Sequence, residues 1–488
     1  MSSRAPSDGA LPRSGPTSAA GAGDGDEAQR QRRRRPGRRA STAAVSPARA
    51  CAYAVLRRVF EQGAYADRAF ASEARSLSPR DRALAMQLAY GTVQRAATID
   101  HIAAQLADRP AQALDPPVLA AVRLGLFQLL LLGGVADHAA VNESVELVKH
   151  AGRGGAGLVN AVLRRAAREG SALLAALDDR TAAGAATLHS VPVWLAELWF
   201  AQLGAEQARA LLAHSNRAPE SALRVNTLVA QRDELCTRLP VRVRAAAGLP
   251  EGIVLEAPFD PHASPLWRAG AIMPQSRASM LVSRVLAPRP GDRVLDLCAA
   301  PGAKTTHLAA LMAGEGELVA IERHRGRARM LSQTCARMRA GWVQVRAADA
   351  SQPVAAGPFG KVLVDPPCSG LGTLQSRPDI RWRASPESIA ELSDLQARIL
   401  AAGAAATAPG GTLVYSVCTI SDAESEGVVR RFLGEHSEWS ADDLGHAYPC
   451  LRQAPGSPYL QLLGHRDRTD GFFVARLRRG LPPTRPVP

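Results

Sequence analysis

Residues Val294-Leu-Asp-Leu-Cys-Ala-Ala-Pro-Gly-Ala-Lys-Thr-Thr306 decide the fold. An apolar run ends in a Pro-Gly turn and a helix start, which reads as the first strand-turn-helix of an open α/β sheet, and ligands bind at such turns. Gly302 lets a ligand approach the backbone, and the free N–H groups of the first helical turn point into the crevice. Asp296 supplies an acid at the end of the strand.

The ligand is narrowed by what is missing. A dinucleotide site needs G-x-G-x-x-G, of which only Gly302 is present, and a P-loop needs glycines where this chain has Cys298 and Ala303, although Lys304-Thr305 would align. S-adenosylmethionine fits better, since it carries no phosphate and its ribose needs a carboxylate after the second strand. Glu322, at the end of Glu317-Leu-Val-Ala-Ile321 and twenty residues beyond Gly302, is placed for that. Asp349, after the third strand, suits an adenine amino group.

From Gly291 onward strand and helix signals alternate. Strands are expected over 294–297, 318–321, 343–346, 362–364 and 412–417, with helices starting near Lys304, Arg325, Pro386 and Asp422. The pattern predicts a doubly wound, mostly parallel Rossmann-like sheet over 286–480. Ser421 with Glu424 matches a capping box, and the runs 459–463 and 471–477 predict an antiparallel edge.

Two segments of this region carry chemistry. Lys361-Val-Leu-Val-Asp-Pro-Pro-Cys-Ser-Gly370 is a buried strand running into an acid, two prolines and a thiol, and Gly410-Gly-Thr-Leu-Val-Tyr-Ser-Val-Cys418 ends another strand in a second thiol. An amino-group methyltransferase would want an aromatic ring after Asp-Pro-Pro, where this chain has Cys368. Neighbouring parallel strands would bring both cysteines to one crevice beside the Gly302 turn. Two thiols and an acid suit methylation at pyrimidine C5. That carbon is a weak nucleophile until a thiolate adds to C6, and the adduct then requires a base before it can be released. Cys418 is the expected nucleophile, Cys368 the base or release residue and Asp365 the partner of N3. The target base must be single-stranded or flipped out.

The whole chain sets bounds on this reading. Its 488 residues carry a net charge of +14; residues 1–50 hold ten arginines and four acids, leaving a body that is itself basic by eight. A basic body together with a basic tail indicates a polyanionic partner, most simply nucleic acid. Seven scattered cysteines form no C-x-x-C pair, so neither a disulfide framework nor a metal site is indicated. A reducing cytoplasm follows, and the apolar run 124–136 is too short to span a bilayer. A monomer is the default expectation.

Upstream, residues 1–46 are Arg-, Ser- and Gly-rich and cannot bury a core, so a disordered tail is expected. Residues 47–170 show helical apolar spacing, with Ser78 and Asp115 as candidate caps ahead of prolines, and read as an α-bundle. Residues 171–285 read as a small connecting α+β region, with an aromatic-bearing helix at 193–200 and the short segment Leu223-Arg-Val-Asn-Thr227. Arg377, Arg381, Trp382 and Arg383 mix charge with an aromatic surface, as RNA-binding loops do.

The motifs Cys298-Ala-Ala-Pro-Gly-Ala-Lys304, Asp365-Pro-Pro-Cys-Ser-Gly370 and Tyr415-Ser-Val-Cys418 resemble those of the RNA cytosine-5 methyltransferases of the Sun type. Ala136–Lys149 and Gly157–Arg165 resemble the NusB-like RNA-binding domain at the front of one branch of that family. The resemblance implies 16S ribosomal RNA as substrate, with transfer RNA as the nearest rival. It implies S-adenosylmethionine held by Cys298, Ala299, Ala300, Pro301, Gly302, Ala303, Lys304, Glu322, Asp349 and Asp365. It also assigns the nucleophile to Cys418. The chain departs from the family pattern at Val417, where threonine is usual, at Ala303, where glycine is common, and at Gln275-Ser-Arg-Ala-Ser279, which lacks the usual acid. A different class of reading is an RNA-binding or assembly factor with a vestigial catalytic half.

Overall fold

The computed structural model describes residues 45–481 apart from Arg153, Ala355, Ala356 and Arg452; the Arg-rich tail up to residue 44 lies outside them. The chain opens with helices α1 (Pro47–Gln62), α2 (Ala66–Glu73), α3 (Pro79–Gln94), α4 (Ala96–Ala107), α5 (Pro116–Leu130), α6 (Asp137–His150) and α7 (Ala156–Ala175). They enclose one apolar core, in which Leu56, Leu88, Ile99, Leu124, Leu126 and Leu163 are fully buried. Ser78 caps α3 by accepting from Asp81 N–H at 3.2 Å, whereas Asp115 precedes α5 without a side-chain cap bond. Glu143 on α6 instead caps α1, accepting from Ser46 N–H and O–H and from Arg49 at 2.9 Å.

Helices α8 (Ala182–His189), α9 (Val193–Leu203) and α10 (Ala205–His214) lead to a four-stranded antiparallel sheet in the order β2-β3-β1-β4. It comprises β1 (Ala222–Val225), β2 (Val243–Ala245), β3 (Gly252–Leu255) and β4 (Ile272–Pro274), with α11 (Arg232–Arg238) and α12 (Pro265–Arg268) between them. The α13 helix (Arg277–Leu286) then enters the large sheet.

That sheet contains β5 (Arg293–Leu297), β6 (Glu317–Glu322), β7 (Gln344–Ala347), β8 (Phe359–Val364) and β9 (Thr407–Val417), all parallel, interleaved with α14 (Ala303–Leu311), α15 (Arg325–Arg337) and α16 (Pro386–Ala406). After α17 (Glu426–Glu435) come β10 (Trp439–Ala441), β11 (Leu460–Leu462) and β12 (Phe472–Arg479); β12 runs antiparallel to β9, and β10 and β11 pair with β12. The order β10-β12-β9-β8-β5-β6-β7 is the doubly wound, mostly parallel arrangement that the alternating strand and helix signals predict. Strands buried on both faces read as near-continuous Val/Ile/Leu runs, as β5, β6 and β8 do.

Two expectations are corrected. Ser421 and Glu424 form no capping box: α17 starts at Glu426 behind Ser425, and the Glu424 side chain turns inward to other partners. The segment 377–383 is not an open charged loop. Arg381 is fully buried, Trp382 donates to Val93 O at 2.7 Å and packs on the helical core, and Arg383 donates to Gly63 O at 2.7 Å. Arg381 donates to Gln94 O, Ser190 O and Asn216 Oδ1 at 2.9–3.0 Å, with longer contacts to Ser215 and Leu374 carbonyls. Burial pulls this guanidinium down to about 9, which leaves it charged at neutral pH. One cation thus fastens the helical bundle, the connecting helices and the loop after β8 together, and of the group only Arg377 and Arg383 remain exposed.

Candidate active site

The carboxyl ends of β5, β6, β8 and β9 converge on one crevice. In register, Val364 of β8 faces Tyr415 of β9, so the residues that follow both strands emerge side by side. Cys368 Sγ and Cys418 Sγ come within 3.4 Å, although they are fifty residues apart. Gly372 N–H donates to Cys418 O at 3.0 Å and Gly471 N–H to Gly372 O at 2.8 Å, which stacks three turns over the thiols. A Cβ on Gly372 would lie 2.0 Å from Gly471 O, so glycine is required at that crossing. From the far side, Trp199 on α9 donates to Ile420 O at 3.0 Å and holds the segment after Cys418.

Asp365 lies directly beneath. Its Oδ1 accepts from Ser416 Oγ at 2.9 Å and its Oδ2 from Lys304 Nζ at 2.8 Å, joining the start of α14 to the ends of β8 and β9. Burial alone would pull the Lys304 ammonium down, but Asp365, together with Cys418 and Asp296, outweighs it and the net shift is upward. The thiols are driven apart: a hydrogen bond from Cys368 lowers Cys418 and the Lys304 ammonium assists, while the same hydrogen bond, then burial, raises Cys368 well above an ordinary thiol. One sulfur is therefore predisposed to be the anion and the other to carry the proton.

At the Gly302 turn, Cys298 and Gly302 both have positive φ (65° and 105°), and a Cβ on Gly302 would lie 2.8 Å from Leu331 Cδ1. Asp296 is buried behind the turn, bonded to Thr305 Oγ1 at 2.6 Å, and burial raises its carboxyl to about 7. Burial likewise pushes the Cys298 thiol upward. Glu322 is 3% exposed; its Oε1 accepts from His324 N–H at 2.9 Å, and Arg327 lies 3.6 Å from Oε2 while donating to Ala300 O at 2.7 Å. Asp349, past β7, accepts from Ser351 N–H and O–H, which holds its carboxyl below the usual range. Glu322, Asp349 and Asp365 therefore stand as acidic acceptors at the ends of β6, β7 and β8, with Asp296 buried behind the turn. Such a set suits a ligand bearing an ammonium, ribose hydroxyls and an exocyclic amine, which is the polar inventory of S-adenosylmethionine. Among the described residues no His/Cys/Asp/Glu group could hold a metal ion, and no helix is long and apolar enough to cross a membrane.

Four contributors are absent from the motif reading. Ser416 sits inside a quoted motif but has no chemistry of its own. Asp470, raised by burial, bonds to Ser276 and faces Lys304 and Cys418 from the β12 approach. Phe472 places its ring centroid 5.1 Å from Lys304 Nζ. Arg224, in the Leu223–Asn226 segment, is fully buried and donates to Gln275 Oε1, Ala303 O and Thr306 Oγ1, pinning the first turn of α14. A buried arginine in an otherwise apolar strand is the one signal that could have identified it.

Comparison with known proteins gives the family. Residues 283–478 match the family described as 16S rRNA methyltransferase RsmB/F, 46–168 match the NusB family and 191–262 match the RsmF/B-like ferredoxin-like domain. The chain is 37% identical over 400 residues to ribosomal RNA small subunit methyltransferase B of Thermus thermophilus, covering 82% of this chain and 89% of that protein. The chain belongs to the RsmB/F methyltransferase family. The Vibrio vulnificus protein of the same name is 32% identical, with 88% of this chain and 98% of that one covered. The crystal structure of PH0851 superposes with a TM-score of 0.74 at 24% identity, covering 89% and 99% of the two chains, and shares the fold. The chain is accordingly an RNA methyltransferase with a NusB-like helical domain at its front.

Proposed function

We propose that this RsmB/F protein methylates cytosine C5 in 16S ribosomal RNA, with S-adenosylmethionine as donor and Cys418 as nucleophile. The observation that carries the reading is the 3.4 Å contact between Cys368 and Cys418 beside the Lys304–Asp365 pair. An enzyme methylating an exocyclic amine has no use for two thiols in contact, whereas C5 chemistry needs one to attack and another group to handle the proton.

The Cys418 thiolate adds to C6 and the C5–C6 π pair shifts into the ring toward N3, which takes a proton passed from the Lys304 ammonium through Asp365 and returns it by the same route when C5 gains the methyl group. S-Adenosylmethionine, when bound, supplies the methyl group to C5; Gly302, Lys304, Glu322 and Asp349 are the residues that would hold it. Cys368, which carries a proton while Cys418 is the anion, gives that proton to solvent once Cys418 is bonded to C6, and as the thiolate it then takes the C5 proton. The freed electron pair re-forms C5–C6 as the Cys418–C6 bond breaks, returning the thiolate to Cys418.

The names of the relatives and the basic body of the chain support this substrate. Bisulfite sequencing of ribosomal and transfer RNA from cells with and without the gene tests it. Loss of one 16S methylcytosine is expected. Loss from transfer RNA alone would move the substrate, and no loss would leave an RNA-binding assembly factor.

A further inference from the structure

Glu424 is fully buried between the loops that carry the two thiols. Its Oε1 accepts from Ser369 N–H at 2.7 Å and from Gln396 Nε2 at 3.1 Å, and its Oε2 meets the hydroxyls of Ser369 and Thr419, the latter at 3.1 Å. Those hydroxyls are themselves 2.7 Å apart. With both protons inside this triangle, Oε2 accepts at least one of them. Ser369 follows Cys368 and Thr419 follows Cys418, so one carboxylate ties together the residue after each thiol. Gln396 also donates to Pro367 O at 2.9 Å, just ahead of Cys368, and the Tyr415 hydroxyl donates to Glu424 O at 2.6 Å, three residues ahead of Cys418. A buried carboxylate is tolerated only with such donors, and its removal leaves several buried polar groups unpaired.

Building on the roles given above to Cys418 and Cys368, we infer that Glu424 is the positioning residue of the thiol pair, holding the two loops at the separation that lets one sulfur hand a proton to the other. The charged and titratable groups facing the pair are Lys304, Asp365, Asp470, Glu424 and the Tyr415 hydroxyl. Lys304 favours a thiolate at Cys418, Asp365 and Asp470 oppose it, and Glu424 opposes ionisation at Cys368.

The test is iodoacetamide alkylation of the full chain without RNA, resolved by site with mass spectrometry and followed against pH, in wild type, Glu424→Gln and Glu424→Ala. Only the thiolate reacts, so at a pH below the thiol's pKa the rate follows the thiolate fraction, and a pKa lower by one raises it about tenfold. Glutamine can keep the spacing, its carbonyl toward Ser369 N–H and its amide toward the hydroxyl oxygens, while removing the charge. Glu424→Gln should therefore speed Cys368 alkylation at pH 8 about threefold or more and leave Cys418 within about twofold. Glu424→Ala should slow Cys418 alkylation at pH 7 about tenfold, because the Cys368 donor withdraws. If the alanine variant does not fold, the glutamine profile decides. Wild-type profiles for both thiols, whatever the melting temperature, would overturn the assignment. A Cys418→Ala methylation assay run alongside separates the two claims: activity there defeats the nucleophile assignment, while the RNA-free profiles still judge Glu424.

Discussion

Replacing Arg381 by methionine probes how the domains are joined. The stem keeps its volume, so little cavity opens, but the acceptors Gln94 O, Ser190 O and Asn216 Oδ1 lose a donor at 2.9–3.0 Å. A buried acceptor without a donor costs about 1–3 kcal/mol. Relief of the buried guanidinium's desolvation returns part of that. The balance for Arg381→Met is a loss of about 3–5 kcal/mol, among the large single-site effects. At about 2–4 °C per kcal/mol for a cooperative unit of about 150–250 residues, this lowers the melting transition by about 6–20 °C. Circular dichroism melts read the shift, and limited proteolysis shows whether the helical front is released as a fragment. Arg377, exposed in the same segment, provides the control: Arg377→Ala should stay within about 0.5 kcal/mol of wild type. A loss below about 1 kcal/mol for Arg381→Met would refute the idea that this cation fastens three parts of the chain.

Cys418→Ala should abolish both methylation and the covalent RNA adduct, while Cys368→Ala should let the adduct accumulate on a denaturing gel; the opposite pattern exchanges their roles. Lys304→Met removes the cation beside Asp365 and Cys418, and kcat should fall about 10²–10³-fold, an electrostatic loss that single-turnover assays detect. A near-normal rate would remove Lys304 from the reaction. Burial raises Asp296 from 3.8 to about 7, so between those values the folded chain keeps a proton that the unfolded chain has lost. Its contribution to stability is present at low pH and is lost as pH rises through about 7. Urea denaturation at pH 5 and 7.5 should show that slope flattened in Asp296→Asn; an unchanged slope assigns it elsewhere. Arg377→Ala should also reduce the salt dependence of RNA binding by about one phosphate contact, and an unaltered slope would clear that surface of RNA.

The strands β5, β6 and β8 were legible because each holds a short apolar run ending at a turn residue, whereas β7 is a half-exposed Gln-Val-Arg-Ala segment. The meeting of Cys368 and Cys418 followed from strand adjacency alone. What local reading could not supply were side chains whose partners lie far along the chain. Trp382 bonds to Val93 and Arg381 to Gln94, almost three hundred residues away, so a buried joint looked like an exposed basic loop. Glu424 matched a capping pattern at Ser421, but the hydroxyls after the two cysteines and the Gln396 amide offered more donors than a helix end does. The β9 strand begins at Thr407 rather than 412, because the Pro-Gly-Gly stretch continues along the edge of β8 across a register shift near Phe359 and Lys361.

Arg224 bears on how far the catalytic half is autonomous. Its guanidinium comes from the small antiparallel sheet yet grips Ala303 and Thr306, at the first turn of the helix that follows Gly302. Cutting the chain at residue 286 would therefore strip that helix of its anchor, even though every strand of the large sheet would survive. A fragment that keeps this anchor has to begin upstream of Leu223.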